Sequence, residues 1–321
     1  MNAEQLITIL IPVYNEEDVL EILLTKLDKV TSDLPFKFEF LFVDDGSKDA
    51  TVGILRSAKQ KHNHIRILQL SRNFGKEAAI TAGLHSACGD AVILMDADLQ
   101  DPPEYIPEMI DSWCKGANVV LMKRRSRPGD GRLKKFSGYL FYRLIRSLSA
   151  IDIPADASDF RLMSREVVNA INQLPERNRY MKGIFAWVGM NTVTLEFDRY
   201  QRVRGKTKWS YLNLFELGVE GITSFTVKPL RLSTFVGLGL ILFSFLTIIW
   251  QGIFPLENNE LSDHHLMAIA FFFGLQFLFI GLIGEYIGKI YIESKHRPIY
   301  ILQENNEGNG VNLKKTKVEF N

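Results

Sequence analysis

The amino-acid sequence predicts an α/β fold, in which a mostly parallel sheet is followed by a hairpin of two apolar helices. Up to about residue 200, short runs rich in Ile, Val, Leu and Phe alternate with amphipathic stretches, which is typical of strands and helices in such folds. After residue 229, two long stretches carry no charged side chain. These stretches account for a mean hydropathy of 0.00 in a chain with 23% charged residues.

Five strands and four helices are predicted in order along the first part of the chain. The strands cover residues 6–13, 36–43, 65–70, 91–95 and 119–122, and the helices lie near residues 16–30, 50–61, 76–86 and 104–115. Ligands bind beyond the carboxyl ends of the strands in a sheet of this kind. The polar residues directly after each strand are therefore candidates for a site.

The charge balance and the cysteine count exclude several classes of protein. The 321 residues include 38 Lys and Arg against 37 Asp and Glu, whereas general nucleic-acid binding requires a basic excess over a whole domain. Two cysteines, Cys88 and Cys114, cannot form a disulfide framework or a structural zinc site. Residues 1–5 carry no Lys or Arg, so no signal peptide is expected.

The two uncharged stretches, residues 232–256 and 266–284, are long enough to cross a bilayer. The shorter one has 19 residues, and a helix of that length spans roughly 28 Å. The connection between them has no Lys or Arg, and basic residues flank the pair on its outer sides at Lys228, Arg231, Lys289, Lys295 and Arg297. Because basic flanks stay on the cytosolic side, we expect a multi-pass protein of the cell (inner) membrane with both termini in the cytosol. The alternative is a pair of buried core helices.

The predicted organisation has four parts. Residues 1–209 form a cytosolic domain, 210–228 a juxtamembrane amphipathic helix, 229–300 the two-helix hairpin, and 301–321 a polar cytosolic tail. Residues 134–148 form a second basic amphipathic pattern, and helices of this kind lie on membrane surfaces. The alternative is that both amphipathic helices cover the sheet. Small residues in the spans are compatible with a homo-oligomer.

The strongest single motif follows the fourth predicted strand. Asp96 and Asp98 lie one residue apart, and Gln100 comes next, before a Pro-Pro pair. Alternate residues of an extended segment point to the same side, and two carboxylates so close repel each other unless a cation lies between them. A divalent ion held there could neutralise a departing diphosphate.

Three further polar loops are expected at the same edge of the sheet. The sequence Pro12-Val13-Tyr14-Asn15-Glu16 follows the first strand, Asp44-Asp45-Gly46-Ser47 the second, and Arg72-Asn73-Phe74-Gly75-Lys76 the third. Together they offer an aromatic ring, carboxylates and cations for a nucleoside and its phosphates. Each loop alone could be ordinary turn chemistry. The sequence has no G-x-G-x-x-G after a strand and no Walker motif, which argues against a dehydrogenase or a P-loop nucleotidase.

These four loops, together with Asp159-Phe160-Arg161-Leu162-Met163 and the apolar hairpin, resemble family 2 glycosyltransferases of the GT-A fold. The similarity is greatest to polyisoprenyl-phosphate glycosyltransferases of the bactoprenol glucosyltransferase group, which are related to dolichol-phosphate mannose synthase. It extends over about residues 5–300. Ser158 stands where relatives often have Gly, which is a small departure.

The resemblance implies a role for each matching residue. The nucleotide-sugar site would comprise Pro12, Tyr14, Glu16, Asp44, Asp45, Lys76 and Asp96. A divalent metal, Mg or Mn, would be held by Asp96, Asp98 and Gln100, and the catalytic residues would be Asp159 and Asp98. Asp159 matches the candidate base, but a phosphate acceptor with a second pKa near 6 is largely dianionic, so Asp159 could equally position the substrates.

The function that these features imply is an inverting transfer of a sugar from a nucleotide sugar, with UDP-glucose favoured, to polyisoprenyl phosphate. A processive polysaccharide synthase is a second possibility, although no Gln-x-x-Arg-Trp motif surrounds any of the four tryptophans. A non-catalytic nucleotide-binding membrane scaffold is the third. The intact acidic motifs argue against it.

A row of basic residues is predicted to bind the phosphate of the acceptor lipid. Arg202, Arg204, Lys206 and Lys208 recur at every second position, so an extended segment would place them on one face. Arg204 and Lys206 are the primary candidates, with Arg124 from the basic group after the fifth strand. The alternative is a solvated strand edge.

Overall fold

The structure is a computed structural model, and it describes residues 4–125, 157–198, 223, 226, 228–253 and 261–303. The strands are β1 Leu6–Val13, β2 Lys37–Asp44, β3 Ile65–Gln69, β4 Ala91–Leu94, β5 Val119–Arg124, β6 Ala157–Ser164 and β7 Thr192–Phe197. The helices are α1 Leu20–Thr31, α2 Thr51–Lys61, α3 Lys76–Ser86, α4 Ile106–Cys114, α5 Arg165–Asn172, α6 Met181–Val188, α7 Lys228–Ile253 and α8 Leu261–Ser294. A single 3-10 turn, Pro103–Tyr105, precedes α4.

The seven strands form one sheet in the order β3-β2-β1-β4-β6-β5-β7. The pairs β1–β2, β1–β4 and β2–β3 are all parallel, and β7 runs parallel to β5. Strand β6 is antiparallel to both β4 and β5. The predicted mostly parallel sheet is thus confirmed, and the five predicted strands lie within two residues of their observed bounds. Strands β6 and β7 were not predicted.

The reversed direction of β6 brings its first residues to the carboxyl end of β4. Arg161 of β6 pairs with Leu94, the last residue of β4, so Asp159 extends beyond that end. The residues that follow β4 begin at the same place. The sheet topology therefore joins two acidic segments that are about 60 residues apart in the sequence.

The core lies on both faces of the sheet. In β1, Ile7, Ile9 and Ile11 pack in one cluster with residues of α1 and α4, whereas Leu10 packs in a second cluster with residues of α3 and α5. This division follows from the alternation of side chains along a strand. Two covered faces leave the strand ends as the accessible part of the sheet.

The apolar C-terminal part of the chain contains two long helices, α7 and α8. Within α8, Phe271–Ser294 is a 24-residue apolar segment with a mean hydropathy of 1.6, and none of it is buried. Among the described residues, it is the one segment long and apolar enough to cross a membrane, and the apolar segment Ser233–Ser244 of α7 is shorter. The two predicted apolar helices are present. Among the described residues, only α8 is long and apolar enough to cross a membrane. Residues 134–148 and most of residues 210–228 lie outside the described residues.

After α8, the chain returns to the sheet beside β3. The N–H of Ser71 donates to the carbonyl of Ile301 at 2.8 Å, and the N–H of Gln303 donates to the carbonyl of Gln69 at 2.8 Å. Leu70 and Leu302 form an antiparallel bridge. The segment that follows α8 is thereby joined to the carboxyl end of β3.

Candidate active site

Three elements bring Lys76, Asp96 and Asp159 together at the carboxyl edge of the sheet. Lys76 is the first residue of α3, Asp96 follows β4, and Asp159 lies near the start of β6. The Lys76 Nζ atom lies 2.7 Å from Asp96 Oδ1 and 2.7 Å from Asp159 Oδ2. A single ammonium group therefore bridges the two carboxylates on which the sequence analysis placed metal binding and catalysis.

The charges of this cluster stabilise one another. Burial opposes the charged form of Lys76, but the carboxylates of Asp96 and Asp159 outweigh it and raise the pKa of Lys76. Burial likewise opposes ionisation of Asp159, but Lys76 and then Lys182 hold the pKa of Asp159 well below its usual range. Asp159 is consequently an anion at neutral pH.

The segment after β4 folds into a tight acidic turn. Leu99 has a φ of 60°, and the N–H of Gln100 donates to Asp98 Oδ1 at 3.1 Å. The N–H of Asp96 donates to Asp101 Oδ2 at 3.2 Å, and the Ser158 hydroxyl donates to Asp101 Oδ1 at 3.2 Å. Burial, and then the Asp96 carboxylate, raise the pKa of Asp101 to about 7. Asp101 thus ties the turn to β6.

The donor set of this turn suits a hard divalent cation. Asp96 and Asp98 supply carboxylate oxygens, which are the ligands that Mg²⁺ and Mn²⁺ prefer. The Oε1 atom of Gln100 is buried and has no hydrogen-bond partner among the described residues. An unsatisfied buried acceptor in the same turn as two carboxylates is compatible with a bound cation.

A second group of metal-binding residue types lies elsewhere. Asp28, His62 and His64 bring one ligand atom each within 4.8 Å of one another. His62 and His64 precede β3, and Asp28 lies near the end of α1, so this group is at the amino edge of the sheet. It is a possible metal-binding triad, but it lies away from the residues for which metal binding was predicted.

Asp44 and Asp45 are buried and bonded to the backbone. The carboxylate of Asp44 accepts the N–H of Ser47 at 3.1 Å, and that of Asp45 accepts the N–H groups of Phe74 and Gly75 at 2.7 and 2.9 Å. Burial is the largest cause of the raised pKa of both carboxyl groups, and these hydrogen bonds oppose it. Asp45 therefore joins the loop after β2 to the loop after β3.

A cavity of about 440 Å³ lies where these two loops meet the loop after β1. Tyr14, Gly46, Ser47, Gln69, Arg72 and Gln303 are among the residues that line it. Pro12 is half-buried at the end of β1, and the backbone N–H of Glu16 donates to the Thr51 hydroxyl at 2.9 Å. The loops predicted to bind a nucleotide thus surround a cavity with an aromatic residue at its wall.

Arg161 lies next to the site, and the sequence motif that contains it predicted no role for it. It is 5% exposed, and its guanidinium donates to the carbonyls of Asp159 and Ser158 at 3.2 and 2.9 Å. The guanidinium also lies 3.9 Å from the centre of the Phe185 ring. The signal available in the sequence was a basic residue between Phe160 and Leu162, because a buried Arg must have partners.

The predicted acceptor residues are not joined to this cluster by any described contact. Arg124 ends β5 and pairs with Phe197 of β7, and β6 separates it from β4. Its Nε atom is buried and has no hydrogen-bond partner among the described residues. Arg204 and Lys206 lie outside the described residues.

Residues 8–171 match the sequence model of Glycosyl transferase family 2. The chain belongs to this family. The matched region of the glycosyltransferase includes Tyr14, Asp45, Lys76, Asp96 and Asp159, and it ends within α5, before the apolar helices. Lys76, Asp96 and Asp159 therefore all lie within the matched family region.

Relatives of this family 2 glycosyltransferase align over nearly its whole length. A bactoprenol glucosyl transferase of Shigella phage SfV is 45% identical over 300 residues, which are 92% of this chain and 98% of that protein. An uncharacterized glycosyltransferase of Synechocystis sp. is 44% identical over 304 residues, 93% of this chain and 95% of that protein. A solved glucosyl-3-phosphoglycerate synthase from Mycobacterium tuberculosis, in complex with Mn²⁺, UDP and glucosyl-3-phosphoglycerate, has a TM-score of 0.47 at 22% identity, and the match covers 68% of this chain and 76% of that one.

Proposed function

We propose that this glycosyltransferase moves glucose, with inversion, from UDP-glucose to the phosphate of a polyisoprenyl lipid at the cytosolic face of the cell membrane. The observation that carries the proposal is the Lys76 bridge between Asp96 and Asp159, at a sheet edge to which the segment after an apolar helix is joined. The relatives named bactoprenol glucosyl transferase support the choice of sugar and acceptor.

The nucleotide of the donor fits the cavity beside Tyr14. That cavity opens at the carboxyl ends of β1, β2 and β3, which is where α/β sheets bind ligands. Tyr14 lines this cavity, and we propose that its aromatic ring contacts the base. Asp44 and Asp45 hold the surrounding loops through the hydrogen bonds described above, so their contribution to nucleotide binding is partly indirect.

A divalent metal, Mg or Mn, would be held by Asp96, Asp98 and Gln100. Such an ion supplies positive charge that stabilises a departing nucleoside diphosphate. The residues of the chain keep the ligands in place, because Asp101 accepts the N–H of Asp96 and Gln100 donates to Asp98. The Lys76 Nζ atom lies 2.7 Å from Asp96 Oδ1 and 2.9 Å from Asp96 Oδ2, so it fixes the orientation of that carboxylate.

Asp159 acts in this proposal as a positioning and electrostatic group more than as a base. The acceptor phosphate, whose second pKa is near 6, needs little deprotonation at neutral pH, and Lys76 already keeps Asp159 ionised. Its fixed contact with Lys76 orients both groups around the reacting centre. Preorganised charge of this kind is typically a large contribution to catalysis.

The membrane arrangement follows the basic flanks of the apolar helices. We propose that α7 and α8 both cross the membrane, with both termini in the cytosol, and that the chain associates as a homo-oligomer through small residues in the spans. Arg124, Arg204 and Lys206 are proposed as contacts to the acceptor phosphate, as the sequence predicts.

The proposal is tested with purified protein, a panel of nucleotide sugars and polyprenyl phosphate, and the lipid products are identified by mass spectrometry. We expect one hexose per lipid from UDP-glucose, and loss of turnover in Asp98→Asn. Asp111→Asn is the matched control, since Asp111 is an exposed carboxylate of α4 that pairs with Lys115. A ladder of sugars on one lipid would indicate a processive synthase, and UDP binding without transfer to any lipid would indicate a scaffold.

A further inference from the structure

A second cavity, also of about 440 Å³, lies between the start of α3 and the end of α8. One wall consists of Arg72, residues 74–78 and residues 177–179. The other consists of Ile292, Lys295 and residues 297–299, at the end of α8 and in the segment after it. We call it the α3–α8 cavity. It is distinct from the cavity beside Tyr14, although Arg72 lines both.

The charge of the α3–α8 cavity is strongly positive. Six cationic residues line it, at Arg72, Lys76, Arg177, Arg179, Lys295 and Arg297, against one acidic residue, Glu77. Such a concentration of cations in a concave site attracts an anion. Its location next to Lys76 places that anion beside the carboxylate cluster.

Not all of these cations are available to a ligand. The guanidinium of Arg179 donates to three carbonyls of the chain, those of Ile171, Leu174 and Glu176, and Lys76 bridges two carboxylates. In the part of the chain that the structure describes, Arg72, Lys295 and Arg297 form no ion pair within 4.0 Å. These three cations can therefore bind an anion without first breaking an ion pair with a described residue.

The walls of the cavity are held in place by hydrogen bonds across it. The backbone N–H groups of Arg177 and Asn178 both donate to Glu293 Oε1, at 2.8 and 2.9 Å. The Arg177 Nε atom donates to the carbonyl of Arg297 at 3.0 Å. A site whose walls are already joined loses little conformational entropy when a ligand binds.

The apolar side of the cavity indicates what kind of anion fits. Ile292 lines the cavity, and Ile290, Tyr291 and Ile292 are exposed on the last turns of the apolar segment of α8. A phosphate attached to a hydrocarbon chain could place its charge among the cations and its chain along this helix. A nucleotide would match the charges but not the exposed apolar surface.

We propose that the α3–α8 cavity binds the phosphate of the acceptor lipid, with Arg72, Lys295 and Arg297 as its ligands. The inference rests on the proposed function, which supplies a lipid phosphate as the acceptor. It adds a second set of phosphate contacts to Arg124, Arg204 and Lys206, which were proposed from the sequence. The phosphate then lies between the membrane helix and Lys76, next to Asp159.

The experiment measures two quantities on the full chain in detergent. The first is the KM for polyprenyl phosphate at saturating UDP-glucose, and the second is direct binding of polyprenyl phosphate by native mass spectrometry, which needs no turnover. The variants are Arg297→Ala, the double variant Lys295→Ala/Arg297→Ala, and the conservative Arg297→Lys. Lys59→Ala is the matched control, since Lys59 is an exposed cation of α2 that does not line the cavity.

Loss of one charged hydrogen bond to phosphate is expected to raise the acceptor KM roughly tenfold in Arg297→Ala, and further in the double variant. Arg297→Lys should restore part of the acceptor affinity. UDP binding should be unchanged in all of these variants, and Lys59→Ala should have the acceptor KM of the wild type. The uncharged polyprenol should bind weakly to every variant. An unchanged KM and unchanged lipid binding in the double variant would overturn the proposal.

Competing anions separate the remaining possibilities. If phosphatidylglycerol in mixed micelles displaces polyprenyl phosphate at equal concentration, the cavity is a general site for anionic lipids and the acceptor assignment is wrong. Competition by inorganic phosphate alone, without a contribution of the lipid chain, would also overturn it. If the wild type binds polyprenyl phosphate in this cavity but transfers no sugar, the proposed function fails while the site stands.

Discussion

Replacing Gly46 by Ala tests whether the loops after β2 and β3 must touch to form the nucleotide cavity. Gly46 has a φ of 72°, and a Cβ atom added there would lie 2.6 Å from the carbonyl carbon of Arg72 and 2.8 Å from the amide nitrogen of Asn73. Both contacts are with backbone, so no side chain can rotate away. The loop that carries Phe74 and Lys76 must move instead.

The expected loss of stability in Gly46→Ala has two causes, backbone strain and steric conflict. Substitutions at two other glycines serve to distinguish them. Gly116 has a φ of 99° with no atom within 4 Å of an added Cβ, so Gly116→Ala measures the backbone strain alone, about 1 kcal/mol. Gly53 lies in α2 with no positive φ and no close atom, so Gly53→Ala should stabilise the helix by up to about 1 kcal/mol. Gly46→Ala adds steric conflict to strain, for a total of about 3 kcal/mol.

The three variants are compared by thermal unfolding of the full chain in one detergent, and by UDP binding in a calorimeter. For a domain of this size, 1 kcal/mol corresponds to roughly 2–4 °C, so we expect Gly46→Ala to lower the melting temperature by roughly 6–12 °C. Its UDP affinity should fall roughly tenfold or more, while Gly53→Ala and Gly116→Ala bind UDP as the wild type does. Equal behaviour of Gly46→Ala and Gly116→Ala in both assays would refute the reasoning.

Three further variants probe the charged cluster. Lys76→Met leaves Asp96 and Asp159 without their shared cation, so the single-turnover rate should fall by about two orders of magnitude. Lys76→Arg should recover part of this rate. A rate close to that of the wild type in Lys76→Met would show that the bridge is not needed for turnover. Arg161→Met leaves two carbonyls without their donor, and thermal unfolding should show a loss of about 2–4 kcal/mol, whereas an unchanged melting temperature would contradict the buried role of Arg161. Asp159→Asn should lower kcat at every pH, because a positioning role is not restored by alkali; recovery of its pH–rate profile toward high pH would assign Asp159 as the base.

The first five strands of the sheet could be predicted because their residues are continuous apolar runs. Strand β6 could not, because its sequence Ala157–Ser164 includes Asp159 and Arg161, which interrupt the apolar pattern. Arg161 is tolerated in the interior since it donates to carbonyls of its own strand. Strand β7 has an exposed pattern along most of Thr192–Phe197, so little burial marks it in the sequence.

The site could be predicted as a set of loops but not as a set of contacts. The position of Asp96 and Asp98 after a strand was enough to indicate a carboxyl-edge site. The pairing of Lys76 with both Asp96 and Asp159 depends on the reversed direction of β6, which the sequence pattern did not reveal. The use of Asp45 to bind two backbone N–H groups was not predicted either, because it depends on how closely the loop after β3 approaches the end of β2.

One short segment, residues 295–303, connects α8 to the sheet edge that carries Lys76, Asp96 and Asp159. Residues 301–303 pair with Gln69 and Ser71. Residues 72–75 then connect Ser71 to Lys76, which contacts Asp96 and Asp159. The six residues 295–300 separate the end of α8 from this pairing, and six extended residues reach at most about 22 Å. With α8 in a bilayer, the carboxylate cluster cannot lie far above the membrane surface, so the phosphate of a lipid can reach it while the lipid chain stays in the bilayer. Lengthening the segment 295–300 would relax this restraint without altering any residue of the cluster.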